Sequence, residues 1–257
     1  MNTAKPHIDK GKGEVIILLH GLFGALSNWK SVVDFFSKKY RVIIPKIPLT
    51  DVDVEDANLE SLTKLVSKFI TSNRLKNFTL IGNSLGGHIG LMYTIQNPNK
   101  VKQLVLTGSS GLYENSFGGS FPKRGDYGYI NDRVNHTFYN PNILTKKYVD
   151  NIFDTLNDNA KCLNIITIAR SAQRNNLSKK LYRIKCPTYL IWGLNDTITP
   201  PSVAHQFNKL ISKSKLKFID KCCHAPMMER PQEFNKILKT FLDCLLYTSP
   251  SPRDWLQ

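Results

Sequence analysis

One serine in this chain lies in a pattern that is typical of an enzyme nucleophile. The segment Gly82-Asn83-Ser84-Leu85-Gly86 has the form Gly-x-Ser-x-Gly, and it joins the apolar run Phe78–Ile81 to a helical pattern. A serine on such a strand-to-helix turn exposes its hydroxyl, and small neighbours let the turn approach adjacent elements. The N-terminus of the helix adds partial positive charge where an oxyanion would form. The pattern therefore predicts that Ser84 attacks a carbonyl carbon.

Two later residues fit the base and the acid that such a serine needs. A hydroxyl is a weak nucleophile, so a histidine must accept its proton and a carboxylate must orient that histidine. Asp196 and His224 follow Ser84 in the chain order expected for this type of turn, and each lies just past a predicted strand. Because the carboxyl ends of parallel strands meet at one edge of a sheet, we predict a Ser84-Asp196-His224 triad.

A glycine-rich turn, His20-Gly21-Leu22-Phe23-Gly24, follows the first strong strand. Such a turn directs backbone N–H groups into a site, and we expect the amides of Leu22 and Leu85 to stabilise an oxyanion. The sequence leaves open whether Leu22 or Phe23 supplies the first amide. We expect His20 to hold the turn by hydrogen bonds rather than to act as the base.

The elements that position these residues follow from the apolar pattern, in which short continuous runs alternate with helical spacing. The predicted strands are Val15–Leu19, Tyr40–Ile44, Phe78–Ile81, Gln103–Leu106, Thr188–Trp192 and Leu216–Ile219, and the predicted helices around them are Leu59–Ser72, Leu85–Gln96, Ser202–Ile211 and Gln232–Leu242. Continuous rather than alternating hydrophobicity indicates strands that are buried on both faces, as in a parallel sheet. The predicted fold class is α/β, with a mostly parallel sheet flanked by helices.

One connection breaks this alternation. Residues 109–185 contain no clear sheet strand, but Tyr148–Leu156 and Ala160–Gln173 have helical spacing. A structureless loop of this length is improbable in a compact domain. We therefore predict a helical cap inserted at 109–185, between a first core part at 1–108 and a second core part at 186–243.

Together these motifs resemble the α/β-hydrolase superfamily over nearly all of residues 14–243. The resemblance is carried by His20-Gly21, the turn around Ser84, the Gly-x-x-Asp-x-x-x-Pro turn at Asp196, and His224 with the following Glu229-x-Pro231. It implies the α/β-hydrolase fold, with a mostly parallel sheet and a helical cap. Few residues precede Val15, so we expect little room for the initial hairpin of the family.

Within the superfamily, the chain resembles the meta-cleavage-product hydrolases and related carboxylesterases. Asn83 before the serine, Gly108-Ser-Ser-Gly-Leu112 after a strand, and Cys222 two residues before the histidine fit that branch.

The hydrolases of that branch cleave a carbon–carbon bond in a vinylogous diketone acid, and a cap arginine helps to hold the substrate. The resemblance therefore makes Arg170 and Arg174 candidate substrate-binding residues, although a solvated helix face is the plainer interpretation of both. Phe23 and Asn83 are the other candidates for substrate contact.

The composition restricts the possible partners. With 41% hydrophobic and 21% charged residues, the 257-residue chain is neither disordered nor collagen-like nor a membrane bundle. The formal net charge is +15, but the basic residues are scattered and no nucleic-acid-binding motif is present. We expect a small-molecule substrate and no nucleic-acid or membrane partner.

Cysteine usage and the chain termini indicate a cytoplasmic protein. The cysteines are Cys162, Cys186, Cys222, Cys223 and Cys244. They form no CxxC pair, so neither a disulfide framework nor a metal site is predicted. The first residues lack an apolar segment of signal-peptide length. Residues 244–254 look like the in-frame translation of a sequencing adaptor, and we predict that 244–257 is a non-native tail; the alternative is a genuine Pro/Ser-rich tail.

The predicted function is that of a serine hydrolase that acts through an acyl-enzyme on a small or medium carboxylic ester, without metal or organic cofactor. Carbon–carbon bond hydrolysis of a β-diketone is the alternative within enzymes. A non-catalytic binding protein on the same fold is the alternative from another class, and the presence of three triad residues argues against it.

Overall fold

A computed structural model of the protein describes residues 8–24, 26–115 and 121–244, and the predicted tail therefore lies almost wholly outside the described residues. The described strands form one seven-stranded sheet in the order β1-β3-β2-β4-β5-β6-β7. They are β1 (Ile8–Lys10), β2 (Val15–Leu19), β3 (Arg41–Ile44), β4 (Phe78–Asn83), β5 (Val101–Thr107), β6 (Thr188–Gly193) and β7 (Ser214–Ile219). Only the β1–β3 pairing is antiparallel. The predicted fold class is confirmed.

Both faces of this sheet are buried. Alternate residues of β2 point to opposite sides, so that Ile17 and Leu19 join one hydrophobic cluster while Ile16 and Leu18 join the other. Helices cover the two faces of the sheet and the carboxyl ends of its strands. They are α1 (Lys30–Phe36), α2 (Leu59–Ser72), α3 (Leu85–Gln96), α4 (Tyr127–Asn135), α5 (Lys146–Asn157), α6 (Asn159–Arg174), α7 (Pro201–Leu210), α8 (Pro226–Glu229) and α9 (Pro231–Cys244). The continuous apolar strands of the sequence are thus explained by a two-sided core.

One strand that the apolar pattern did not predict precedes Val15. A short strand, β1, pairs antiparallel with β3 at the sheet edge. Its residues are exposed or half-buried, so it has no apolar run to reveal it. A bidentate ion pair between Arg41 and Asp9 holds it in register, with distances of 2.9 and 2.6 Å.

The connection between β5 and β6 is helical where it is described. Side-chain caps begin its helices: Asp126 accepts a hydrogen bond from the amide of Tyr129 in α4, Thr145 caps α5, and Asp158 caps α6. These helices lie over the carboxyl ends of the strands, where Ser84 and His224 share a cavity with residues of α4, α5 and α6. The predicted boundaries of the cap at 109–185 stay a prediction.

Candidate active site

Ser84 lies on the turn between β4 and α3 in a strained backbone conformation. Its φ of 53° and ψ of −122° fall where residues with a side chain are rarely found. The amide of Ser84 donates to the carbonyl oxygen of Thr107 at 3.1 Å, and its own carbonyl accepts from the amide of His88 at 3.1 Å. The surrounding structure therefore holds the serine in this conformation, as a sharp strand-to-helix turn requires.

The glycine two residues after Ser84 is needed for close packing. A Cβ atom on Gly86 would collide with the backbone carbonyl of Leu19 in β2. Only a glycine lets the first turn of α3 lie this close to the sheet. The sequence pattern around Ser84 thus has a steric cause.

Asp196 is completely buried, and its carboxylate is fully hydrogen-bonded. Its Oδ1 atom accepts from the amides of Ile198 and Thr199, both at 2.9 Å, and its Oδ2 atom accepts from the Thr199 hydroxyl at 2.8 Å. The Nδ1 atom of His224 lies 3.0 Å from Oδ2. A buried carboxylate with this many donors is fixed in orientation and can in turn fix the imidazole.

His224 lies against this carboxylate with only 12% of its side chain exposed. Burial alone would lower the pKa of His224, but the charge and hydrogen bond of Asp196 outweigh it, with further help from Glu114 and Glu229, and the pKa is raised. The backbone of His224 is also held: its amide donates to the carbonyl of Thr137 at 3.2 Å, in the helical connection.

Ser84 and His224 line the same cavity, and so do the predicted residues Leu22, Phe23, Asn83 and Leu85. The cavity holds about 840 Å³ of space, part of it open to solvent. Its described lining is mostly apolar and includes side chains from α4, α5 and α6. The structure therefore brings together the predicted nucleophile and base, with the predicted acid directly behind the base.

The turn that carries Leu22 and Phe23 and the first residue of α3, Leu85, both border Ser84. Leu85 is the first residue of α3, so its N–H has no partner within the helix. The turn that carries Leu22 lies against the nucleophile, because a Cβ atom on Gly21 would be 3.1 Å from the Cβ atom of Ser84. The buried His20 ring contacts the carbonyl of Gly21 at 3.0 Å, which fits a role in holding this turn.

Asn83 holds the base in place as well as lining the cavity. Its Nδ2 atom donates to the carbonyl oxygens of Thr107 and His224, both at 3.0 Å. This side chain therefore ties the nucleophile strand to the loop that carries the base.

The two candidate arginines are not in this cavity, and the expectation that they contact the substrate needs a correction. Arg170 and Arg174 are exposed and line a separate, polar cavity with Asn58 and Lys180. The neighbouring residues of the same helix, Ala169 and Ala172, line the cavity of Ser84 instead. Because successive residues of a helix turn away from one another, one face of α6 covers the cavity while the arginines point elsewhere.

The sequence motifs contain Gly108 and Glu229 without assigning them a role, and they do not single out Thr199 or Glu114. Thr199 and Gly108 pack against Asp196 and His224, Glu229 holds the loop of the base, and Glu114 lines the cavity. Burial raises the pKa of Glu114 to about 7, while the nearby His224 acts in the opposite direction. Burial of an acid depends on distant parts of the chain, so no local pattern could have revealed Glu114.

Glu229 links the base to the helical connection. Its Oε1 atom accepts from the amide of Cys223 at 2.8 Å, and its Oε2 atom accepts from the amide of Tyr139 at 2.7 Å. The Thr197 hydroxyl donates to the carbonyl of His136 at 2.9 Å, which ties the loop of Asp196 to the same segment. The segment after α4 is therefore bonded to both the acid loop and the base loop.

The cysteines near the site are poor nucleophiles. Cys222 and Cys223 are buried, and burial raises the pKa of both thiols, that of Cys223 to about 11. Among the described residues, no group of three or more His, Cys, Asp or Glu side chains could hold a metal ion. No helix within residues 8–24, 26–115 and 121–244 is both long and apolar enough to cross a membrane.

Comparisons with known proteins show which proteins the chain is similar to. Among curated proteins, the chain is 25% identical to the monoacylglycerol lipase ABHD6 of Bos taurus, with 93% of this chain and 78% of that protein covered. It is also 25% identical to a 2-hydroxy-6-oxo-6-phenylhexa-2,4-dienoate hydrolase of Comamonas testosteroni, covering 91% of this chain and 89% of that protein.

A solved structure with higher identity is that of MGS-MChE2, an alpha/beta hydrolase enzyme from the metagenome of lagoon sediments at Mar Chica, Morocco. It is 38% identical with a TM-score of 0.76, and the match covers 92% of this chain and 93% of that one. The alpha/beta hydrolase fold family matches residues 14–137 and 130–231, which together span most of the sequence. The chain therefore belongs to the α/β-hydrolase fold family, as the resemblance of its motifs predicted.

Proposed function

We propose that the protein is a serine hydrolase that cleaves small or medium carboxylic esters through an acyl-enzyme. The observation that carries this proposal is the shared cavity of Ser84 and His224, with the Asp196 carboxylate 3.0 Å behind the imidazole. Acyl transfer needs a nucleophile, an oriented base and a backbone N–H donor for the oxyanion, and we assign these roles to Ser84, His224 and the amide of Leu85.

In the first half of the proposed reaction, His224 removes the hydroxyl proton of Ser84 as the oxygen attacks the ester carbonyl. The carbonyl oxygen becomes negative, and the amides of Leu22 and Leu85 stabilise it. Asp196 keeps the Nδ1 proton of His224 in place and stabilises the imidazolium. His224 then gives its proton to the leaving alcohol, and the acyl group stays on Ser84.

In the second half, water takes the place of the alcohol. His224 accepts a proton from the water as it attacks the acyl carbonyl, and then returns that proton to the Ser84 oxygen as the carboxylic acid departs. These steps use only groups of the chain and water, so we propose a small-molecule substrate and no metal or organic cofactor.

The lining of the cavity favours an ester over the diketone acid. Substrates of carbon–carbon hydrolysis carry a carboxylate, which a basic side chain would neutralise. Among the described lining residues, no lysine or arginine is present, and the one carboxyl group is that of Glu114. A monoacylglycerol lipase and a dienoate hydrolase both match at 25% identity, so the likeness favours neither reaction, and the lining of the cavity is what supports the ester.

The test is steady-state hydrolysis of 4-nitrophenyl esters of increasing acyl length, beside a ring-fission dienoate, with Ser84→Ala as the matched control. We expect turnover of the esters that falls by at least about a thousandfold in the variant, as for other nucleophile deletions. Consumption of the dienoate by an enzyme that is silent on every ester would overturn the proposal in favour of carbon–carbon hydrolysis.

A further inference from the structure

One acidic side chain lines the mostly apolar cavity and takes no part in the proposed reaction. Glu114 lines the cavity with Ser84 and His224, and the other described lining residues carry no carboxyl group. Among the described residues, His224 is the charged group that acts on it. Burying an ionisable carboxyl in apolar surroundings is unfavourable, so a group in this position has a strong effect on what else enters the cavity.

The backbone on either side of Glu114 is fixed. The amide of Asn115 donates to the carbonyl of Ile198 at 2.7 Å, and the Asn115 side chain donates to the carbonyl of Thr197 at 2.6 Å. Further back, the carbonyl of Gly111 accepts from the amide of Leu177 at 2.8 Å. The Asn115 bonds attach the backbone beside Glu114 to the loop that carries Asp196, and the Glu114 side chain lines the cavity next to this loop.

The charge of Glu114 changes near neutral pH. Burial raises its pKa to about 7, partly offset by His224. The other titratable groups on elements packed around it are Tyr148 of α5, which lines the cavity, and Asp196 behind His224; Arg133 of α4 does not line the cavity. Glu114 is therefore mostly protonated at pH 6 and mostly ionised at pH 8.

We propose that Glu114 is a specificity-determining residue, which makes the cavity accept uncharged esters, including those that offer a hydroxyl group to a carboxyl oxygen, and reject esters with a carboxylate on the acyl chain. This inference rests on the proposed ester hydrolysis and names the substrate class of the same site. A carboxylate on the substrate meets a like charge, whereas a hydroxyl group can donate a hydrogen bond to Glu114.

The size of the effect follows from the charge of Glu114. Two like charges about 8 Å apart in a medium of effective dielectric about 20 weaken binding roughly thirtyfold. An anionic ester still reacts with the fraction of enzyme in which Glu114 is protonated, about a tenth at pH 8. Discrimination against the anionic ester therefore rises about eightfold between pH 6 and pH 8.

The experiment compares 4-nitrophenyl hexanoate with mono-4-nitrophenyl adipate, which has the same acyl length and a terminal carboxylate. The kcat/KM for the hexanoate is divided by the kcat/KM for the adipate at each pH from 6 to 8. Because both reactions need the same deprotonated His224, the titration of His224 cancels in this ratio. We expect the ratio to rise about eightfold in the wild type. Glu114→Gln and Glu114→Ala should both abolish the rise.

Glu60→Gln is the matched control, because it removes the same charge from an exposed residue of α2 that pairs with Lys64. This variant should keep the full rise. A flat ratio in the wild type, or a rise that survives in Glu114→Gln or Glu114→Ala, would overturn the inference while hexanoate hydrolysis through Ser84 still stands. Absence of Ser84-dependent hydrolysis of either ester would instead overturn the proposed function itself.

Discussion

Gly108, in the loop after β5, offers a sharp test of how the base is held. It has a φ of +50°, and a Cβ atom built on it would lie 2.7 Å from the carbonyl oxygen of His224 and 3.0 Å from its Nδ1 atom. The same atom would be 3.2 Å from Oδ2 of Asp196. Gly108→Ala therefore places a methyl group against the base and the acid at once, and the backbone of His224 has to move.

The expected effect is larger on activity than on stability. An alanine in the left-handed region costs about 1–2 kcal/mol, which lowers Tm by several degrees in a domain of this size. A displacement of about 1 Å of the reacting groups lowers the rate roughly a hundredfold. We therefore expect kcat on a neutral ester to fall about a hundredfold in a folded variant.

The assay is steady-state hydrolysis of 4-nitrophenyl hexanoate beside a thermal unfolding curve. Gly90→Ala is the matched control, because its Cβ atom would meet Leu80 and Leu104 only at ordinary contact distances of 3.6 and 3.7 Å. That variant should keep wild-type kcat. A folded Gly108→Ala enzyme with kcat within about twofold of wild type would refute the reasoning that this loop packs against the base.

Three further predictions concern the same groups. Glu229→Gln leaves the amide of either Cys223 or Tyr139 without its acceptor, at a cost of about 1–3 kcal/mol, and kcat should fall about tenfold. Glu233→Gln, at a half-exposed residue of α9 that pairs with Arg230, should change neither kcat nor Tm. Since Asp196 raises the pKa of His224 and the base acts when deprotonated, the acid limb of kcat/KM should have its midpoint above pH 6.5, and Asp196→Asn should move it down; an unmoved midpoint would contradict this. Since burial raises the pKa of Cys222 and Cys223, iodoacetamide should modify both thiols slowly at pH 8 until the protein is unfolded, and rapid modification with loss of activity would show the opposite.

Strands and helices could be predicted where their burial produces a recognisable apolar pattern in the local sequence. Val15–Leu19 and Leu59–Ser72 have the predicted bounds, because a strand buried on both faces is a continuous apolar run and α2 has a clear apolar stripe. The strand Ile8–Lys10 could not be predicted, since its stability comes from pairing with β3 and not from its own apolar residues. The helix Tyr127–Asn135 was also missed, although Asp126 as a cap and the buried Ile130 and Val134 were a signal for it.

In the site, too, residues with a local sequence signal could be predicted, and residues defined by distant contacts could not. Ser84, Asp196 and His224 could be placed from sequence because each follows a recognisable strand, and strand ends converge. The position of Arg170 depends on which face of α6 turns inward, and the buried Ala169 and Ala172 on that helix were the available clue. Glu229 lies in the motif that follows His224, but its contact with Tyr139 depends on a segment far away in the chain, as the surroundings of Glu114 do, and local spacing does not contain that information.

Covalent labelling is the direct test of whether Ser84 is a nucleophile that His224 activates. The protein is treated with a fluorophosphonate, and the modified residue is located by peptide mass spectrometry in the wild type, Ser84→Ala and His224→Ala. We expect one adduct, on Ser84, that is absent from Ser84→Ala and forms far more slowly in His224→Ala. A wild-type protein that stays unlabelled while folded, or an adduct on another residue that persists in Ser84→Ala, would contradict it.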